Sequence, residues 1–310
     1  MQSRKVYDLP MLFAEIIELV RTDSIQHDDA LYYFRGEGTN FENKGAETPS
    51  ERPPLPGVYR SEGLLEHESD ILNEALRTFP SQFKDDKTTF EILTRMQHYG
   101  YPTRLLDVTQ KITTALGMVL SPDETGNQHL NEAGFIHVYR VRRDRIKYST
   151  GDTVTALSNI ARIKRDNIRI DDLGYLAYEC RNERAGFIWK KKNERRNDLL
   201  GVSEKLDRDI KKVWCVKPVV NNPRVDFQLG EFFLFGCGDR KKLLNISFEE
   251  EDYDNDISAT NGIARIAVLI VTPEAKQHIK EMATYLDIGV DRLYPDFHYH
   301  SEVIKRRFKK

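Results

Sequence analysis

At 310 residues the chain is long enough to bury a substantial core, as one large domain or two small ones. Its 39% hydrophobic and 31% charged residues exclude a disordered chain, and a net charge of -2 supplies no overall field favouring nucleic acid. Cys180, Cys215 and Cys237 are too scattered for a zinc site and suit a reducing compartment, and no apolar run reaches membrane-spanning length. Met1 to Lys5 hold no apolar signal core, so the expectation is a cytoplasmic protein with no membrane contact and no metal.

The periodicity predicts an amphipathic helix near the N-terminus, over residues 8–22, with Leu12, Ile16 and Leu19 on one side. Leu31 to Arg35, aromatic-rich and bounded by Gly36 and Gly38, reads as a short strand entering a loop. Arg35 at its end can pair with a core carboxylate, or grip a phosphate bidentately where glycine lets the backbone come close. Thr39 to Pro56 is polar loop, and Glu62 to Phe79 is one helix carrying Leu65, Leu72, Ala75 and Phe79. Asp86 to Tyr99 is a second, ended by Gly100 and Pro102. A tight connection follows, from which Asp107 or Thr109 would cap a third helix carrying Ile112, Leu116, Val119 and Leu120.

Glu132 to Arg142 reads as a buried strand, Asp152 to Leu157 as a capped helix start, and Tyr175 to Glu183 as another helix. Between Arg181 and Lys212 cations outnumber acids, notably at Lys190 to Lys192 and Arg195-Arg196, with Phe187 and Trp189 interleaved. Such a run is most often a solvated face, but it also suits a nucleic-acid backbone with a base stacked on the aromatics. Val213 to Val220 is a strand, and Phe232 to Phe235 is apolar core. Glu249 to Asp256 is an acidic loop, Arg265 to Thr272 a buried strand, and Thr272-Pro273-Glu274 a helix opening. Residues 305–310 form a basic tail. Without repeats or low-complexity linkers, the simplest partition is one α+β domain over residues 1–310, its core about 25–300.

The most distinctive stretch is Met96-Gln97-His98-Tyr99-Gly100-Tyr101-Pro102-Thr103-Arg104-Leu105-Leu106-Asp107-Val108-Thr109. A turn that only reversed direction would need the glycine and proline, but not a histidine, a guanidinium and a carboxylate. A structural pair between Arg104 and Asp107, with His98 as a cap, explains them as well as a functional site does. With Phe34-Arg35-Gly36 upstream, Asn222-Pro223-Arg224 and Gln228-Leu229-Gly230 later, and Asp291 to Phe297 near the end, the chain resembles the FRG domain family.

That resemblance implies an ADP-ribosyltransferase-like layout: a single domain with a central mixed or antiparallel sheet in two halves and flanking helices. It implies an early strand ending in Arg, a middle helix with His or Tyr, and a late strand bearing an acid. NAD would be the substrate, with no metal required. Arg35 would hold pyrophosphate or ribose, with Phe34 and Gly36 beside it. His98 would contact NAD or accept the nucleophile's proton, and Gln97 and Tyr99 would contact NAD. Thr103, Arg104 and Asp107 would wall the pocket.

For the late acid, Glu231 beside Phe232 is similar to the Glu-Phe pair of DNA-targeting transferases, whereas the FRG pattern emphasises Gln228. On a regular strand the two face opposite ways, so both line the cleft only if a bulge intervenes. The resemblance further implies a toxin or phage-defence effector that modifies a macromolecule, with a neutralising antitoxin protein as partner. The basic run at Lys190 to Arg196 and the basic tail favour nucleic acid, RNA first, over protein as the acceptor. A non-catalytic nucleotide-sensing or partner-binding module and a metal-independent ribonuclease are the competing expectations.

Overall fold

The computed structural model describes residues 2–40, 46–49, 53–122, 128–163, 209, 212–219, 230–236, 262–283, 285–286 and 288. In chain order its regular elements begin with β1 (Gln2–Val6), α1 (Leu9–Ser24), β2 (Ala30–Glu37), α2 (Glu62–Glu66) and α3 (Glu68–Thr78). They continue with α4 (Thr89–His98), β3 (Leu105–Thr109), α5 (Ile112–Leu120), β4 (Gly134–Arg142), β5 (Ile146–Tyr148) and α6 (Asp152–Asn159). The last are β6 (Val213–Lys217), β7 (Gly230–Phe235), β8 (Ile263–Val271) and α7 (Pro273–Met282).

The strands join in one eight-stranded mixed sheet, in the order β1-β8-β4-β2-β3-β7-β6-β5. The two outermost pairs, β1 with β8 and β5 with β6, are parallel, and every other neighbouring pair is antiparallel. The expected separation into two halves is therefore not two sheets. It is a single weak joint, between β2 and β3, within one sheet.

Local chemistry explains several helix starts. Asp8 caps α1 by accepting from the amide of Met11 at 2.8 Å, and Pro10 sits in the first turn, where no amide is needed. Thr88 and Glu91 form a reciprocal capping box on α4. Thr272 caps α7 through the Ala275 amide at 3.3 Å, followed by Pro273. The segment expected as one helix from Glu62 to Phe79 is two, because His67 leaves helical geometry at φ -97° and ψ 16°.

The connection between α4 and α5 also differs from expectation. Leu105 to Thr109 is a strand in mid-sheet, so Asp107 caps nothing, and the residue before α5 is Lys111. Thr109 Oγ1 still accepts from the Lys111 amide at 3.0 Å. The expected helix over 175–183, the basic run over 181–212 apart from Asp209 and Lys212, the acidic loop over 249–256, the blocks over 221–229 and 291–297, and the tail lie outside the described residues.

Alternation along the strands sorts the core onto two faces. Phe34, Ile136, Val138, Ala267 and Leu269 pack with α1, α5 and α7. Leu105, Phe232 and Trp214 continue the helix-covered face under Phe90, Leu93 and Leu157. The opposite face carries Tyr33, Tyr139, Val108, Cys215 and Phe233, covered in part by Val58, Tyr59 and Leu65. Among the described residues no helix is long and apolar enough to cross a membrane.

Candidate functional site

Strand β2 pairs with β4 along its whole length, from Ala30 opposite Arg142 to Glu37 opposite Phe135. With β3 it shares one pair, Phe34 with Thr109. Beyond Phe34 the two strands part, and the ladder bonds that would have joined them are replaced by side chains.

Arg35 reaches across this opening. Its Nη1 donates to the Asp107 carbonyl oxygen at 2.9 Å and lies 3.8 Å from Asp107 Oδ2, while its Nε donates to Glu37 Oε1 at 3.4 Å. In a regular sheet Arg35 and Asp107 would face opposite sides; the parted strands let the guanidinium reach the far one. Asp107 Oδ2 accepts from Gln97 Nε2 at 2.8 Å, and Gln97 Oε1 accepts from Thr103 Oγ1 at 2.6 Å. The other oxygen of Glu37 lies 3.2 Å from His137 Nε2. One hydrogen-bonded chain thus runs from Thr103 through Gln97, Asp107, Arg35 and Glu37 to His137, tying α4, β3, β2 and β4 together.

The protonation states follow from burial and charge. Burial works against an ionised Glu37, but the His137 hydrogen bond and the Arg35 and Arg60 charges outweigh it and hold the carboxyl below its ordinary pKa. Burial depresses the His137 pKa, with Arg265 and Arg35 adding to the effect against the pull of Glu37, so its ring is neutral at neutral pH. A neutral ring that donates from Nε2 carries its lone pair on Nδ1, and that atom has no hydrogen-bond partner among the described residues.

A second polar cluster lies on the same face, beyond β3. Glu231 Oε2 accepts from the Tyr33 hydroxyl at 2.6 Å and from Cys215 Sγ at 3.5 Å, and Glu231 Oε1 lies 3.6 Å from Lys217 Nζ. Glu231 is 7% exposed, and burial raises its pKa despite the Tyr33 hydrogen bond and the Lys217 charge. Burial likewise pushes up the Tyr33 hydroxyl and the Cys215 thiol. Glu231 is in register with Val108, and Val108 lies beside Arg35 by continuation of the Phe34–Thr109 pair. A single strand therefore separates the guanidinium from the carboxylate.

Of the residues singled out in the sequence, Arg35, Gln97, Thr103 and Asp107 meet in one network, and Glu231 shares their sheet. Phe34, Gly36, Arg104 and Tyr99 serve elsewhere. Phe34 belongs to the apolar layer under α1 and α5. At Gly36 a Cβ would collide with the Ala115 carbonyl of α5 and come within 2.9 Å of Met118 Cβ, so the missing side chain admits a helix there. Arg104 bonds Glu68 through Nε at 2.8 Å and through Nη2, and the Phe235 carbonyl through Nη1 at 3.2 Å; it is 1% exposed. The structural pair considered for Arg104 and Asp107 is thus made with Glu68 instead.

Tyr99 is exposed at the end of α4, its hydroxyl 3.4 Å from Gln82. His98 ends α4, half-buried. Gln228 lies outside the described residues.

Sequence reading missed Glu37, His137, Tyr33 and Cys215. For Tyr33 and Glu37 the signal was present, two residues either side of Arg35 and therefore on its face of the strand. His137 carried none; it sits within an apolar strand and meets Glu37 through the pairing of β4 with β2. Among the described residues no group of His, Cys, Asp and Glu is arranged to hold a metal.

Residues 31–127 match the family model of the FRG domain. The match takes in β2, α4, β3 and α5, hence both strands of the parted joint, but ends before β4 and β7. No curated protein and no solved structure matches the chain.

Proposed function

We propose that the protein transfers ADP-ribose from NAD to a macromolecular acceptor, nucleic acid before protein, using the opening between β2 and β3. The observation that carries this reading is the placement of Arg35 and Glu231 on one sheet, either side of β3. Two strand spacings separate them, roughly 10 Å, a distance that a ribose phosphate spans. The match to the FRG domain over both strands of the opening supports a shared role for this region.

In the reaction the bond between ribose C1′ and the nicotinamide nitrogen breaks, and nicotinamide leaves with the bonding pair. Positive character develops on the sugar, and an oxygen or nitrogen of the acceptor bonds to C1′ and gives up its proton. NAD and acceptor become ADP-ribosylated acceptor, nicotinamide and a proton. Arg35 would hold the pyrophosphate, its Nη2 having no hydrogen-bond partner among the described residues. Glu231, positioned by Tyr33 and Lys217, would orient a ribose hydroxyl and offset the sugar's positive charge. Gln97, Thr103 and Asp107 would fix the guanidinium instead of touching the dinucleotide.

A non-catalytic nucleotide-binding module is the second reading. It draws on the internal bonds that already occupy two of the three Arg35 nitrogens. Incubation of the protein with labelled NAD and cell extract separates the two. The transferase reading expects label on nucleic acid, lost in Arg35→Ala, and growth arrest on expression that a neutralising partner relieves. NAD binding without turnover favours the binding module. RNA cleavage without NAD, or neither binding nor transfer, contradicts the proposal.

A further inference from the structure

Glu231 stands in a row of side chains that crosses the sheet. Towards the centre come Val108 and Arg35; towards the edge comes Lys217, with Nζ 3.6 Å from Glu231 Oε1. Lys217 is in register with Tyr148 of β5, the outermost strand. Tyr148 is 70% exposed, a large aromatic ring left in solvent beside a cation and one residue further from the acid. On the opposite face of the same edge Lys147 Nζ lies 4.6 Å from the centroid of the Trp214 ring, and Arg145 covers that ring at 5.2 Å.

The surroundings are strongly basic. Arg140 to Tyr148 hold five cations against one acid. Arg140 is neutralised by Asp23 at 2.7 Å and Arg142 by Asp144, while Arg143 and Lys147 form no ion pair with the described residues. A near-neutral protein thus concentrates positive charge at the one sheet edge that leads to Glu231. Charge on an edge strand also discourages pairing with another chain, which explains lysine and arginine but not an exposed tyrosine.

From this arrangement we infer that the edge formed by β5 and β6 binds single-stranded nucleic acid, with a base stacked on Tyr148 and a phosphate on Lys217. Bases stack on aromatic rings whatever their identity, and a lysine beside the ring tracks the backbone. A nucleotide held there places its neighbour against Glu231, on the side of the carboxylate opposite Arg35. Donor and acceptor then approach the same carboxylate from opposite ends of one row. The role as acceptor surface rests on the transferase reading; the binding itself does not.

Anisotropy of a fluorescent single-stranded RNA of about 12 nucleotides, titrated with the full chain at low salt, tests the inference. Tyr148→Ala is expected to weaken binding about tenfold, Tyr148→Phe to retain it, and the affinity to fall steeply with added salt. Tyr148 is exposed, so its replacement leaves the core untouched. Equal binding by wild type and Tyr148→Ala, no binding by the wild type, or a preference for duplex would overturn the inference. So would transfer of label to protein alone. A calorimetric NAD titration of the same sample keeps the two readings apart. Tyr148-dependent RNA binding without NAD binding sinks the transferase and upholds the surface, whereas NAD binding without RNA binding sinks the surface alone.

Discussion

Two arginines, one in each of the most distinctive sequence blocks, have opposite fates. Arg104 at the start of β3 spends all three guanidinium nitrogens on Glu68 and the Phe235 carbonyl and is sealed from solvent. Arg35 at the opening has a 12% exposed side chain, long contacts to the Glu37 and Asp107 carboxylates and one good bond to a carbonyl. The first arginine closes structure and the second stands where structure was left open. A buried charge with every donor matched has nothing left for a ligand, whereas a partly engaged one can exchange a partner at modest cost.

The sharpest way to break this contrast is to remove each arginine in turn. Arg104→Ala leaves Glu68 buried and unpaired, and is expected to cost about 3–5 kcal/mol in urea denaturation. Arg104→Met combined with Glu68→Leu should restore most of that, because a matched apolar pair needs no counter-charge. Arg35→Ala is expected to cost only about 1–2 kcal/mol of stability while lowering nicotinamide release about a hundredfold. Equal loss of stability in both single variants would erase the contrast.

Gly36→Ala comes next. Its methyl group has to displace the α5 backbone, and the expected loss is about 1–3 kcal/mol. A thermal melt checks it, and an unchanged melting temperature would mean that α5 yields without strain.

The smallest effect concerns Glu231. Burial raises its folded pKa above the unfolded value, so its folded form is favoured below the unfolded pKa and loses stability as pH rises through the folded one. Glu231→Gln, which still accepts from Tyr33, should melt roughly 1–3 °C above wild type at about pH 8 and match it near pH 4. On the transferase reading proposed above it should also lose activity, since that reading assigns the destabilised carboxylate to the chemistry. A variant less stable than wild type at high pH would show that the ionised group is held favourably.

The strand and helix sequence was legible wherever alternation or capping marked it: Ala30–Glu37, Thr89–His98, Ile263–Val271 and Pro273–Met282 fall close to expectation. Strand β3 was not, because Leu105 to Thr109 is buried on both faces and shows no period-two pattern between two strong helices. Strands β1 and β5 are short edge strands whose pairing depends on distant partners. In the site, Gln97, Thr103 and Asp107 were visible as an unusual density of polar side chains, and Arg35 as a guanidinium at a strand end beside two glycines. Their bonding pattern was hidden, since it depends on where β2 and β3 part. The fates of Arg104 and Gly36 were hidden for the same reason, as Glu68 and Ala115 are far off in the chain.

The most direct test of the central claim is a crystal structure of the protein with NAD bound. The account predicts the pyrophosphate within hydrogen-bond reach of Arg35 and the nicotinamide ribose against Glu231, on the face of the sheet that carries both. Density for NAD elsewhere, with Arg35 still holding only Asp107 and Glu37, would contradict it.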